Sequence, residues 1–173
     1  WVVMASSDKL TLVYWRVHGR ALPIRLAARI GNVEVVDEFV DHQTWKDDKD
    51  KYPFGTLPVL KTPKGIITQS NAILIYVGKQ AGLYPSDDWQ AVQVNDLLGF
   101  AEDISHAIAP SMREQDPEKK AAMRAVLASE TLPRFLRYLE QYHTAHGSPK
   151  YFISDDLTVA DLKLFSLCNW LGS

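Results

Sequence analysis

The chain has 173 residues, 46% of them hydrophobic and 23% charged, with a formal net charge of -2. This composition excludes a disordered chain, and the near-balanced charge argues against general binding to nucleic acid or to an anionic membrane surface. The longest apolar stretch, Ala72 to Val77, is far short of the ~20 residues that span a bilayer; the single cysteine, Cys168, cannot form an internal disulfide and points to a reducing compartment.

At the N-terminus, Met4 reads as an ordinary initiator behind a short leader or tag remnant, without a secretory signal, so the expected location is cytoplasmic. Leu10 to Trp15 reads as a strand. Gly19 to Ile30 reads as a helix with Leu22, Leu26, Ala27 and Ile30 on one face, Pro23 tolerated near its first turn and Gly31 as its stop. Val33 to Val40 is rich in β-branched residues and makes a second strand. His42 to Lys51 is too hydrophilic for the core. Val59–Lys61 and Ile66–Thr68 flank a Pro/Gly turn and predict a hairpin. Ser70 is then expected to cap a helix from Asn71 to about Lys79. The order βαβ, then ββα, needs a mixed sheet with helices on its faces.

After a short linker the strands disappear. Val94, Leu97, Leu98, Ala101, Ile104 and Ile108 recur at three- and four-residue steps, which predicts an amphipathic helix from Asp88 to Ala109. Asp116-Pro117-Glu118 is a helix start; the helix is interrupted at Pro133, resumes through Leu139 and ends at Gly147-Ser148-Pro149. Thr158 and Asp161 form a capping-box variant for a last apolar helix, deep in which Cys168 does not read as a nucleophile.

Most site signatures are missing. No glycine-rich phosphate loop occurs. His143 and His146 lack a third ligand and read as a solvated helix end; Asp47, Asp48 and Asp50 lack the glycine and distal glutamate of a calcium loop. No metal is therefore expected. Arg16, Arg20, Arg25 and Arg29 read mostly as surface charges, although an arginine at a helix N-terminus can meet an anion. Two features are sharper. A cis bond before Pro58 would present a backbone edge to an extended peptide ligand, and the helix start at Gln69-Ser70-Asn71 offers free N–H groups to a carboxylate.

Three motifs in order, Tyr14 to Leu26, Phe54-Gly55-Thr56-Leu57-Pro58-Val59-Leu60 and Gln69-Ser70-Asn71-Ala72-Ile73-Leu74, together with Glu102-Asp103 and Leu157-Thr158-Val159-Ala160-Asp161, resemble a cytosolic glutathione S-transferase of the tyrosine-using type (alpha, mu, pi and sigma, with sigma favoured). The resemblance implies an α/β thioredoxin-like glutathione-binding domain over 8–82, a linker over 83–87 and an all-helical domain over 88–173. Related chains continue for several more helices, which implies that this sequence is a fragment, incomplete at its C-terminus.

The same resemblance implies the chemistry: glutathione as co-substrate, its thiol held as thiolate and directed at small hydrophobic electrophiles. Tyr14 would donate to the sulfur, with Arg20 either assisting by charge or serving structurally. Ser70 and Gln69 would hold the γ-glutamyl carboxylate, and Leu57, before Pro58, the cysteinyl backbone. Trp45 and Lys49 (Lys51 in the alternative register) would hold the glycyl end. Thr56 stands where the family often carries a longer polar residue, and His18 where it often carries arginine. Asp103 would reach the ligand's amino group from the partner subunit of a homodimer, with Phe54 at the interface. Trp15, Val17, His18 and Met112 are candidates for the electrophile pocket. The alternatives are a glutathione-dependent isomerase of the prostaglandin D synthase kind and a non-catalytic protein that keeps the fold, as lens crystallins do.

Overall fold

Strand β1 (Leu10–Tyr14) runs through the interior of a four-stranded sheet in a computed structural model of the chain, which describes residues 9–171. The readings made on Met4 and its neighbours, and on the last two residues, lie outside the described residues. The sheet order is β2-β1-β3-β4, with β2 (Val35–Phe39) parallel to β1, and β3 (Val59–Thr62) and β4 (Gly65–Thr68) joining as an antiparallel hairpin. Helices α1 (Leu22–Ile30) and α3 (Ser70–Gln80) pack on each other. In this unit Leu12, Val13, Ile24, Val59, Leu60, Ile73, Leu74 and Val77 are fully buried, the strand residues alternating between the two faces of the sheet. Each such side chain contributes about 1.5–3 kcal/mol, which makes this cluster the main source of the unit's stability. Gly31 follows α1, and a Cβ there would fall 2.2 Å from the Ala81 Cβ, so the close approach of the end of α1 to the end of α3 requires glycine.

Several boundaries differ from expectation. The stretch before Pro23 is a 3-10 turn, Gly19–Ala21, and only from Leu22 does the α-helix run. His42 to Lys51 is helical: α2 (His42–Asp48) starts because the Asp41 carboxylate accepts from the Thr44 N–H at 2.8 Å, and a 3-10 turn, Lys49–Lys51, follows. It buries nothing, as its hydrophilic pattern requires, yet it is a regular element where none is expected. Ser70 does not cap α3. It is the first residue of the helix, and Gln69 occupies the cap position without a side-chain capping bond.

The described residues divide into two compact units, 9–85 and Ser86–Leu171. In the second, α4 (Asp88–Arg113) begins at Asp87, whose carboxylate accepts from the Gln90 N–H, and runs past Pro110. A proline so near the end removes one main-chain bond without stopping the helix, and the Ser111 hydroxyl donates to the Ile108 carbonyl beside it. The predicted face, Val94 to Ile108, is buried. α5 (Pro117–Val126), capped by Asp116, passes through a π-type segment, Leu127–Thr131, into α6 (Leu132–His146). Pro133 lacks the N–H that a regular helix would need there, and the wider turn precedes it. α7 (Val159–Leu171) packs on α4. Its cap is the expected box in modified form: Asp161 accepts from the Thr158 N–H and hydroxyl, both at 2.8 Å, and from the Phe152 N–H at 2.9 Å. The fold is thus a thioredoxin-like first unit followed by a helical second one.

Candidate functional site

Tyr14 closes β1, and its side chain is buried to 7% exposure. Its phenol oxygen accepts a hydrogen bond from the Arg20 main-chain N–H at 3.2 Å. The chain leaves the strand at Tyr14, loops out and returns, so that Gly19 and Arg20 fall against the ring. Gly19 has φ +37°, and a Cβ there would lie 2.8 Å from the Tyr14 hydroxyl; only glycine permits this approach without displacing the phenol. With its oxygen engaged by an N–H, the hydroxyl has its own proton left to donate.

From Arg20 the contacts lead on to α3. The Arg20 guanidinium donates to the Ser70 hydroxyl at 3.5 Å, and Ser70 is buried at the start of that helix. Gln69, exposed, holds φ +69°, which turns the chain sharply from β4 into the helix. The N–H groups and partial positive charge of the first helical turn suit a carboxylate here. Leu57-Pro58 is a cis peptide bond directly ahead of β3, with Pro58 buried and Thr56 exposed.

A second group of contacts is aromatic. Trp15 meets His42 at 4.8 Å and Trp45 at 6.3 Å between ring centres, and Trp45 stacks on Tyr52 at 5.6 Å. Lys61 lies over the Tyr52 ring at 5.8 Å and pairs with Glu38 at 2.7 Å. Burial works against the Lys61 charge, but the bond to Glu38 and the fields of Tyr52 and Glu38 outweigh it, leaving the ammonium above its ordinary pKa. Lys51 is taken up by Asp48, whereas Lys49 stands exposed. Val17 and His18 are exposed in the loop after β1. Asp103 and Met112 lie on α4 of the other unit, both exposed. His143 is occupied structurally, its Nε2 bonded to the Ser148 carbonyl at 2.9 Å and its ring against Phe152.

Gly19, His42 and Tyr52 belong to this constellation and are missed from sequence. A glycine between a strand end and a helix start is the available signal for Gly19. For Tyr52 it is an aromatic residue inside an otherwise charged stretch.

Residues 8–79 match the glutathione S-transferase N-terminal domain and residues 102–173 the glutathione S-transferase C-terminal domain. Over 166 residues the chain is 30% identical to glutathione S-transferase 1 of Ascaris suum, an overlap of 92% of this chain and 79% of that one. The chain belongs to the glutathione S-transferase family. This transferase is also 31% identical over 157 residues to glutathione S-transferase P of Caenorhabditis elegans, covering 90% of this chain and 74% of that one. Among solved structures, prostaglandin synthase D of Nilaparvata lugens superposes with a TM-score of 0.84 at 26% identity, over 94% of this chain and 81% of that one. Among the described residues no helix is long and apolar enough to cross a membrane.

Proposed function

We propose that this glutathione S-transferase ionises the glutathione thiol against the Tyr14 hydroxyl and directs the sulfur at small hydrophobic electrophiles, a detoxifying reaction of the cytoplasm. The observation that carries this reading is the bond from the Arg20 N–H to the Tyr14 oxygen, which fixes the phenol and leaves its proton for the sulfur. A free thiol titrates near 8.5, so only a few per cent is thiolate at neutral pH. Lowering that value by one to two units takes about 1.4–2.7 kcal/mol, within the range of one hydrogen bond to a charged acceptor.

The remaining groups suit the tripeptide's ends. The start of α3, with Ser70 and Gln69, receives the γ-glutamyl carboxylate. The Leu57 main chain lies outside the β3 ladder, where it can pair with the cysteinyl residue. The Trp45 indole N–H and the exposed Lys49 take the glycyl carboxylate. Arg20 holds the phenol oxygen through its main chain and Ser70 through its guanidinium. Trp15, Val17 and His18 contribute to the electrophile's surroundings.

A homodimer completes the site, with Asp103 supplied by the second copy. Two features of the surface support dimerisation. Phe54 is 76% exposed at φ +61°, and a groove of about 460 Å³ between α4 and α6 is lined by Phe100, Tyr138, Leu139 and Tyr142 as well as Asp103. Burying Phe54 of one copy in that groove removes a large apolar side chain from water, worth about 1.5–3 kcal/mol.

Tyr14→Phe tests the reading. Turnover with an aryl halide at neutral pH should fall about 10- to 100-fold, the effect of a thiol pKa raised by one to two units, while glutathione affinity changes little. A variant that keeps the full neutral rate refutes it. The likeness to prostaglandin synthase D of Nilaparvata lugens favours a second reading, a glutathione-dependent isomerase with the same thiolate. Mass spectrometry of the product, a glutathione conjugate in one case and an isomer with glutathione regenerated in the other, separates the two.

A further inference from the structure

We propose that Arg25 is a positioning residue for the Tyr14 hydroxyl, acting through the loop 15–18; the proposal rests on Tyr14 as the thiolate donor. The sequence groups Arg25 with surface charges, but its guanidinium makes three-way contact. Nε and one terminal nitrogen bind Asp37 at 3.0 and 2.8 Å, and the other terminal nitrogen donates to the Val17 carbonyl at 2.7 Å. Asp37 lies opposite Leu12 in the β1–β2 ladder, so the fork ties the loop to the sheet and to α1 at once.

Trp15 at the start of the loop packs on His42 and Trp45, but the three residues after it have few anchors. Arg16, Val17 and His18 are exposed, so burial does not fix them. Their other anchors are a tight turn from the Val17 N–H to the Trp15 carbonyl and the start of the helix, where the Ala21 and Leu22 N–H groups reach the His18 carbonyl. Phe39, paired with Tyr14 across the ladder, lies beneath both Arg16 at 4.5 Å and Arg25 at 5.7 Å, a cation–π contact that keeps the two arginines on the same side as Asp37. The loop begins at Tyr14 and returns at Gly19–Arg20, and its return point carries the N–H on which the phenol oxygen depends. Slack at Val17 therefore moves that donor. A phenol that loses an N–H on its oxygen is a weaker donor to the sulfur, because linked hydrogen bonds strengthen one another. A lysine at position 25 keeps the charge but cannot bind a carboxylate with two nitrogens and a carbonyl with a third.

The test is the pH dependence of turnover in Arg25→Lys, in Asp37→Asn and in each combined with Tyr14→Phe. With Tyr14 present, both variants should move the profile upward by roughly half a unit, a loss of about threefold at pH 7. The high-pH plateau and KM for glutathione should stay unchanged. In the Tyr14→Phe background, neither substitution should move the profile. Superimposable profiles with Tyr14 present overturn the proposal, and so does an equal loss in both backgrounds, which marks a structural role alone. Should Arg25→Lys fail to fold, Asp37→Asn, which leaves the Val17 carbonyl bond in place, carries the same comparison. A profile unmoved by Tyr14→Phe itself overturns the reading of Tyr14 and the role of Arg25 together.

Discussion

In the first unit polar contacts converge on groups offered for chemistry, whereas in the second they converge on the fold. Tyr14, Arg20 and Ser70 are linked in series from β1 to α3. In the second unit the comparable networks are the three donors on Asp161 and the ion pair of Lys163 with Glu102 at 2.6 Å, where both side chains are largely buried between α7 and α4. Its candidate site residues, Asp103 and Met112, stand exposed on α4. On the proposed function, the first unit holds its groups in advance for a thiol, and the second offers exposed groups to a second copy.

Two substitutions should pull these roles apart. The larger effect on stability is expected from Asp161→Ala. It leaves the Phe152 and Thr158 N–H groups without their acceptor, at about 1–3 kcal/mol each, so thermal unfolding should shift strongly downward while turnover per folded molecule holds. Loss of turnover at an unchanged melting temperature would mean that this network serves the chemistry after all. Gly19→Ala should do the reverse. A left-handed alanine costs about 1–2 kcal/mol, a smaller shift in melting. Its Cβ would press on the Tyr14 hydroxyl, and neutral-pH turnover should fall about tenfold, the equivalent of one pKa unit in the thiol. Wild-type kinetics from this variant would show that the loop does not set the phenol's position.

How much of this is legible in sequence depends on the distance over which each feature acts. The strands, α1, the buried face of α4 and the box at Thr158–Asp161 announce themselves within a few residues, since periodicity and capping are local. α2 escapes because its charged residues hide the one local signal it has, the Asp41 cap to Thr44. Ser70 reads as a cap because serine commonly is one; a positive φ at Gln69 shifts the helix start by one residue and turns the Ser70 hydroxyl to Arg20. Tyr14, Leu57-Pro58 and Ser70 can be picked out as motifs. Arg20 is picked out with them, but the supporting contacts are not: Arg20 meets Ser70 across 50 residues, and Arg25 gathers Val17 and Asp37 from either side of α1. Nothing in local pattern reports such contacts.

The smallest expected effect bears on whether the second unit supplies a group to a neighbouring copy. An exposed carboxylate meeting an ammonium contributes about 0.2–1 kcal/mol, so Asp103→Asn should raise KM for glutathione by no more than about fivefold and leave the rate at saturation almost untouched. Tyr14→Phe, by contrast, should keep an intact Asp103 and only about 1–10% of the turnover, which is measured alone and subtracted. If each site takes Tyr14 from one chain and Asp103 from the other, mixing Asp103→Asn protein with an excess of Tyr14→Phe protein forms hybrids. In these, the working phenol of the first chain faces the intact carboxylate of the second. KM should return towards the wild-type value as the inactive partner is added. A KM that stays raised at every mixing ratio, with subunit exchange verified by labelled chains, would assign Asp103 to its own chain or to no site at all.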